Sequence, residues 1–168
     1  MERIPADTWQ QYEGHVARYL YAASRLFSGE SVNDIACGVG YGAEILAAGS
    51  YRGYDRPGVP DTQFSGTFFT ADLNDPAWRP ELADAAVCFE TLEHVTDPWH
   101  LAEVICETTR RIILVSAPVV PTKHLNEHHL HDFTTADVPP MFPGFQVVDD
   151  WDQPSEFSHV WTLTRSST

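Results

Sequence analysis

Apolar residues at Val16, Leu20, Ala23 and Phe27 recur at three- and four-residue spacing, which predicts an amphipathic helix over residues 7–27, ending before Ser28-Gly29. Residues 32–37 follow as a short apolar run that predicts a buried strand. A glycine-rich turn at 38–42 and a helix over 43–48, closed by Gly49, come next. Further strands are predicted at 51–55, 67–71, 85–89 and 112–116, the last being the most apolar. A helix over 98–108 has Pro98 in its first turn, where a missing N–H costs nothing.

Pro57, Gly58 and Pro60 forbid an immediate helix after the second strand. Residues 118–144 hold five prolines and admit at most one short helix, beginning near Thr134 or Thr135. Two final strands, 145–148 and 160–163, pair in this reading as a long-looped hairpin. Strands alternating with helices and closed by such a pair predict an α/β protein, with a mainly parallel sheet covered by helices. No repeat, linker or low-complexity segment divides the chain. Its 168 residues are the size of one domain, read as a leading helix over 1–30 and a core over 31–168.

Composition narrows the class. No apolar run is long enough to cross a bilayer, and the first fifteen residues lack the basic start and apolar stretch of a secretory signal. Cys37, Cys88 and Cys106 are odd in number and lie in apolar segments, so they are expected as reduced, buried thiols in a cytoplasmic protein. Twenty-four acidic against ten basic residues give a formal charge of −14. With Arg110-Arg111 the only adjacent basic pair, a nucleic-acid partner is disfavoured, whereas a small or cationic ligand is not.

Asp34-Ile35-Ala36-Cys37-Gly38-Val39-Gly40-Tyr41-Gly42 places glycines between a predicted strand and a predicted helix, where backbone can approach a ligand and helix N–H groups are unpaired. Gly38, Gly40 and Ala43 also satisfy the relaxed dinucleotide pattern G-x-G-x-x-A, and a tight turn without a ligand fits as well. Asp55 stands seventeen residues after Gly38 at the end of the next strand, placed either to accept hydrogen bonds from two ribose hydroxyls or to form the turn before Arg56-Pro57. Asp72 ends a third strand, facing the same crevice or starting the turn at Asn74-Asp75-Pro76.

With these residues the chain resembles the class I S-adenosylmethionine-dependent methyltransferases over nearly its whole length. Residues 34–42 are similar to the family's first motif. Phe89-Glu90-Thr91-Leu92-Glu93-His94-Val95 with Asp97-Pro98 is similar to its block after the fourth strand. His15, Arg18 and Tyr19 resemble a helix preceding the core in one branch, and residues 126–134 a segment after the fifth strand. The resemblance implies a Rossmann-like three-layer sandwich with a seven-stranded sheet and an antiparallel last strand. It implies that the loop from Gly38 to Gly42 holds the methionine portion of S-adenosylmethionine, with Asp34, Ala36, Gly38, Gly40 and Tyr41 among the cofactor-binding residues. Asp55 would hold the ribose and Asp72 with Leu73 the adenine, and Glu90 would sit beside the pocket.

The expected reaction is methyl transfer to a small-molecule oxygen or nitrogen, and His129, which aligns with the histidine of the similar segment, is the implied general base where the acceptor is a hydroxyl. His124, His128, His129 and His131, with Glu127 and Asp132, offer metal-ligand chemistry, but their spacing matches no defined site, so no metal is assigned. His94 is read as a local structural residue bonding backbone near Asp97-Pro98. Trp9, Tyr12 and Tyr19 are read as core aromatics. Two departures stand out. Asn33 replaces a large apolar residue of the first strand, and residues 56–66 are too short and proline-rich for the usual helix. The second predicts a homodimer, or cover from the leading helix, over one sheet face. A small NAD-dependent oxidoreductase and a non-catalytic cofactor-binding module are the rival readings.

Overall fold

The computed structural model describes residues 4–57 and 64–166. Its elements are α1 (Glu13–Ala23), β1 (Ser31–Ile35), α2 (Gly42–Leu46), β2 (Ser50–Asp55), β3 (Thr67–Thr70), β4 (Ala83–Phe89), α3 (Pro98–Glu107), β5 (Thr109–Pro118), β6 (Phe145–Gln153) and β7 (Ser158–Arg165). The strands form one sheet in the order β3-β2-β1-β4-β5-β7-β6. Pairs from β3 to β5 are parallel, and β7 runs antiparallel to both of its neighbours. This is the seven-stranded Rossmann-like sandwich expected from the chain.

Side-chain alternation along the central strands makes the two faces. Ile35, Ala86, Cys88, Ile113 and Val115 join the cluster beneath α3, while Val32, Ala85, Val87, Ile112 and Leu114 join the one beneath α1 and α2. Both faces are covered at the centre, so β1, β4 and β5 carry near-continuous apolar runs. All three cysteines are free and buried.

Several elements differ from their predicted form. The leading helix is confined to Glu13–Ala23, preceded by a 3-10 turn at Trp9–Gln11, and it buries Arg18, Tyr19 and Ala22. Leu20 and Phe27 of the predicted stripe are exposed, at 57% and 67%. The helix is turned because Tyr19 and Arg18 have buried polar partners, Asp34 and Gln153, which outweigh one more leucine in the core. The second helix stops at Leu46, where Ala47 takes a left-handed conformation (φ +47°).

No helix begins at Thr134 or Thr135. Thr134 instead bonds the Asp137 carboxylate through its N–H and hydroxyl, and a 3-10 turn at Pro139–Met141 brings Met141 and Phe142 beneath α3. The final hairpin is long in its strands and short in its loop. Gln153 stands opposite Ser158 across a turn at Pro154–Glu156. Polar residues such as Asp149, Asp150 and Asp152 hid the second half of the edge strand β6, most of which faces solvent.

Asn33 is buried and donates from Nδ2 to the Glu81 carbonyl at 2.6 Å, so its amide ties the segment before β4 to β1. Of the segment expected to leave a face uncovered, residues 58–63 lie outside the described residues. Phe64 and Phe68 pack against the cluster beneath α1 and α2, to which α1 contributes Tyr19 and Ala22.

Candidate functional site

The carboxyl ends of β1, β2 and β4 lie side by side, as their parallel register requires, and the crevice opens there. The first residue past β1, Ala36, and the first past β4, Glu90, both have positive φ, at +61° and +49°. Non-glycine residues in that conformation cost about 1 kcal/mol or more each, and such strain clusters at ligand sites.

Two cavities meet at this edge. The first, of about 250 Å³, is lined by Arg18, Ala36, Gly38, Asp55, Glu90 and His129 among others. The second, of about 400 Å³, is lined by Asp72, Leu73, Asn74, Thr91 and His128 among others. Ala36, Asp55 and His94 belong to both walls. Asp55 is fixed there by backbone: its Oδ2 accepts the Gly38 N–H at 2.8 Å and its Oδ1 the Arg56 N–H at 2.7 Å. These two bonds fix the orientation of the carboxylate where the two cavities meet.

The two loop glycines have different functions. Gly38 (φ +59°) lines the first cavity, and a Cβ there would meet nothing within 4 Å. Gly40 (φ +92°) lines neither cavity, and its Cβ would stand 2.4 Å from the Phe68 ring. Its absence of a side chain serves packing rather than ligand approach.

Asp34 also lies behind the site rather than in its wall. It is 1% exposed and accepts hydrogen bonds from Tyr51 at 2.6 Å and Tyr19 at 2.9 Å. Burial pushes its carboxyl up to about 7, against the pull of the two tyrosine hydroxyls. Tyr41 lines the first cavity, stacked on Trp9 at 5.2 Å between ring centres. Asp72 both forms its turn, accepting the Asn74 N–H at 3.0 Å, and lines the second cavity beside Leu73. Glu90 accepts the Ser116 and Ser158 hydroxyls at 2.6 and 2.7 Å.

The histidine-rich loop does not converge as a group. His124 and His128 are exposed, and His131 Nε2 meets the Val95 carbonyl at 2.9 Å. Only His129 joins the first cavity, its Nδ1 2.7 Å from the Thr122 hydroxyl, and burial lowers its pKa. His94 does bond backbone, but at the His128 carbonyl, 3.0 Å from Nδ1, rather than near Asp97-Pro98. Burial brings it down to about 4.

Sequence reasoning missed Arg18 and Glu93 as parts of the wall. Arg18 is 1% exposed, bonds Gln153 Oε1 at 2.7 Å through Nη1, and has a buried Nε with no partner. Glu93 is equally buried, its Oε2 is unpartnered, and burial pushes its carboxyl well above the usual range, with the Glu90 charge adding to the rise. Both lie in segments that carried the family resemblance, but nothing local marks a charged residue as inward-facing.

No family model matches the sequence, and no curated protein matches it. Solved structures match in shape. Magnesium protoporphyrin IX methyltransferase from Synechocystis PCC 6803, with bound S-adenosylhomocysteine, is 16% identical. The match covers 99% of this chain and 90% of that one at a TM-score of 0.72. The N-methyltransferase NodS from Bradyrhizobium japonicum, also with S-adenosylhomocysteine, is 13% identical over 95% of this chain and 88% of that one, with a TM-score of 0.69. The [4+2]-cyclase SpnF is 14% identical over 99% and 86%, with a TM-score of 0.69. The chain therefore has the class I S-adenosylmethionine-dependent methyltransferase fold.

Proposed function

We propose that this protein binds S-adenosylmethionine across the two joined cavities and transfers its methyl group to an oxygen or nitrogen of a small molecule. The observation that carries the reading is Asp55, held by the Gly38 N–H at the junction of the cavities, one cavity ringed by charged side chains and the other by Asp72 and Leu73.

The residues present fit that cofactor. Asp55 is placed for a ribose diol, Leu73 with Asp72 for a heteroaromatic base, and the unpartnered Nε of Arg18 for the carboxylate of an amino-acid portion. The acidic groups Asp55, Glu90 and Glu93 suit a cationic ligand. When bound, S-adenosylmethionine supplies an electrophilic methyl carbon on a sulfonium. The chain's own work is then to position the acceptor in line and exclude water. His129, on the wall of the first cavity, is placed to take a proton from the acceptor.

The antiparallel β7 stands beside β5, where a dinucleotide-binding sheet has the last parallel strand of its second half, which counts against the oxidoreductase. A cyclase among the structural neighbours keeps a non-methylating reading in play, because fold alone does not set the reaction. Calorimetric titration with S-adenosylmethionine, S-adenosylhomocysteine and NAD decides between them. Micromolar binding of the first two is expected. Tighter binding of NAD, or none of either sulfur compound, would overturn the proposal. The strong acidity argues further for a partner other than nucleic acid. Among the described residues no helix is long and apolar enough to cross a membrane. A cytoplasmic site of action is part of the same proposal.

A further inference from the structure

Three side chains from two segments turn ligand atoms toward one point on the wall of the first cavity. A carboxylate oxygen of Glu93 and one ring nitrogen each of His94 and His129 lie within 4.8 Å of one another. Hydrogen bonds that seat the histidine-rich loop on the turn after β4 bring them together. The Leu130 N–H donates to the Glu93 carbonyl at 2.7 Å, and His131 is anchored on Val95.

The proton positions make this arrangement unsatisfied as it stands. A carbonyl only accepts, so Nδ1 of His94, 3.0 Å from the His128 carbonyl, carries the ring hydrogen. The lone pair of the neutral ring is then on Nε2, which faces Glu93 Oε1 at 3.7 Å. At 3.7 Å the two atoms are too far apart for a hydrogen bond, so neither satisfies the other. Glu93 Oε2 has no hydrogen-bond partner, and the Arg18 guanidinium, whose charge reaches Glu93, makes its Nη1 hydrogen bond to Gln153 instead. A buried carboxylate in that position is strongly disfavoured unless a cation accompanies it.

We propose that Glu93, His94 and His129 bind a divalent first-row transition cation, with zinc as the best match, whose remaining position opens on the cavity. Two imidazoles and one carboxylate with one open position form a recognised zinc donor set. The backbone carbonyl behind His94 Nδ1 and the Thr122 hydroxyl behind His129 Nδ1 are the outer contacts that orient ligating imidazoles and direct Nε2 to the metal. Ligand atoms around tetrahedral zinc stand roughly 3.3–3.6 Å apart, so the Glu93–His94 pair is nearly in place and His129, within 4.8 Å of both, needs only a small closing movement.

The site deepens the methyl-transfer reading and rests on it for its use: it selects an acceptor that presents a hydroxyl. A hydroxyl on the cation loses its proton to solvent far more readily than in water. Its oxygen then bonds to the methyl carbon while the electron pair of the breaking carbon–sulfur bond goes to sulfur, leaving a neutral thioether. His129 is in this case a ligand, not a base.

The test is titration of the chelator-treated full chain with zinc by calorimetry and with cobalt by visible absorption. One equivalent is expected to bind with a Kd of about 1 µM or below. Glu93→Gln and His129→Ala should each weaken it at least tenfold, whereas His124→Ala should leave it unchanged. Zinc should raise the melting temperature of the wild type and not of Glu93→Gln, which keeps the side-chain shape. The proposal is overturned by a wild-type Kd above ~100 µM, by variants that bind like the wild type, or by loss in His124→Ala. Binding of S-adenosylhomocysteine to the metal-free protein is measured in parallel. Cofactor binding without any zinc binding sinks the metal site alone, and zinc binding without cofactor binding sinks the methyltransferase reading alone.

Discussion

The Tyr51 hydroxyl donates to Asp34 Oδ2 at 2.6 Å beneath the glycine-rich loop, and Tyr19 closes on the same carboxylate from α1. Two elements far apart in sequence are thus tied to the end of β1 through one acid whose carboxyl burial pushes up to about 7. The native state holds that proton more tightly than the unfolded chain, where an aspartate titrates near 4. Stability from this group is fully present below about pH 4 and is lost as pH rises through about 7. Between pH 5 and 8 the loss should be on the order of 3 kcal/mol in urea unfolding. Asp34→Asn, which cannot ionise, should flatten that interval. A slope equal to that of the wild type would show that Asp34 is ionised in the fold throughout.

Backbone strain at the crevice gives a second expectation. Ala36 has φ +61°, so Ala36→Gly should raise stability by about 0.5–1 kcal/mol. Gly40→Ala should lower it by about 1–3 kcal/mol, because φ is +92° and the new methyl meets Phe68. Thermal unfolding of the two variants reads both signs. A destabilised Ala36→Gly would mean that the Ala36 methyl packs usefully enough to offset its strain.

Asp55→Ala should weaken S-adenosylhomocysteine binding ten- to a hundredfold, the size of losing charge-assisted hydrogen bonds to a buried diol, with the fold intact. Calorimetry against a circular-dichroism control measures it. Unchanged affinity would remove Asp55 from the site.

Arg18→Lys should reduce affinity for S-adenosylhomocysteine about tenfold, because a point charge cannot reproduce the guanidinium fork. Adenosine, which has no carboxylate, should bind both proteins alike. If both ligands lose affinity together, Arg18 supports α1 rather than contacting the amino-acid end.

Once an acceptor is known, His129→Ala should lower kcat at least tenfold while cofactor affinity and melting temperature hold. Full activity in the variant would leave positioning alone as the mechanism.

What the sequence by itself determined is what short-range pattern encodes: strands β1 to β5, α3 with its proline start, the glycine turn, and the spacing from Gly38 to Asp55 that proved to be a hydrogen bond. Strand periodicity and turn chemistry act within a few residues, so they can be read without partners. Tertiary structure alone decided which face of α1 is buried, since Tyr19 and Arg18 are drawn inward by Asp34 and Gln153, 15 and 135 residues away. It assigned Gly40 to packing and Gly38 to the cavity, a difference that depends on Phe68 in another strand. It set His129, which the resemblance had already pointed to, beside Glu93 and His94, because the loop is seated by bonds to Glu93 and Val95 backbone. Burial of a charge is a property of the groups around it, and those groups are scattered along the chain.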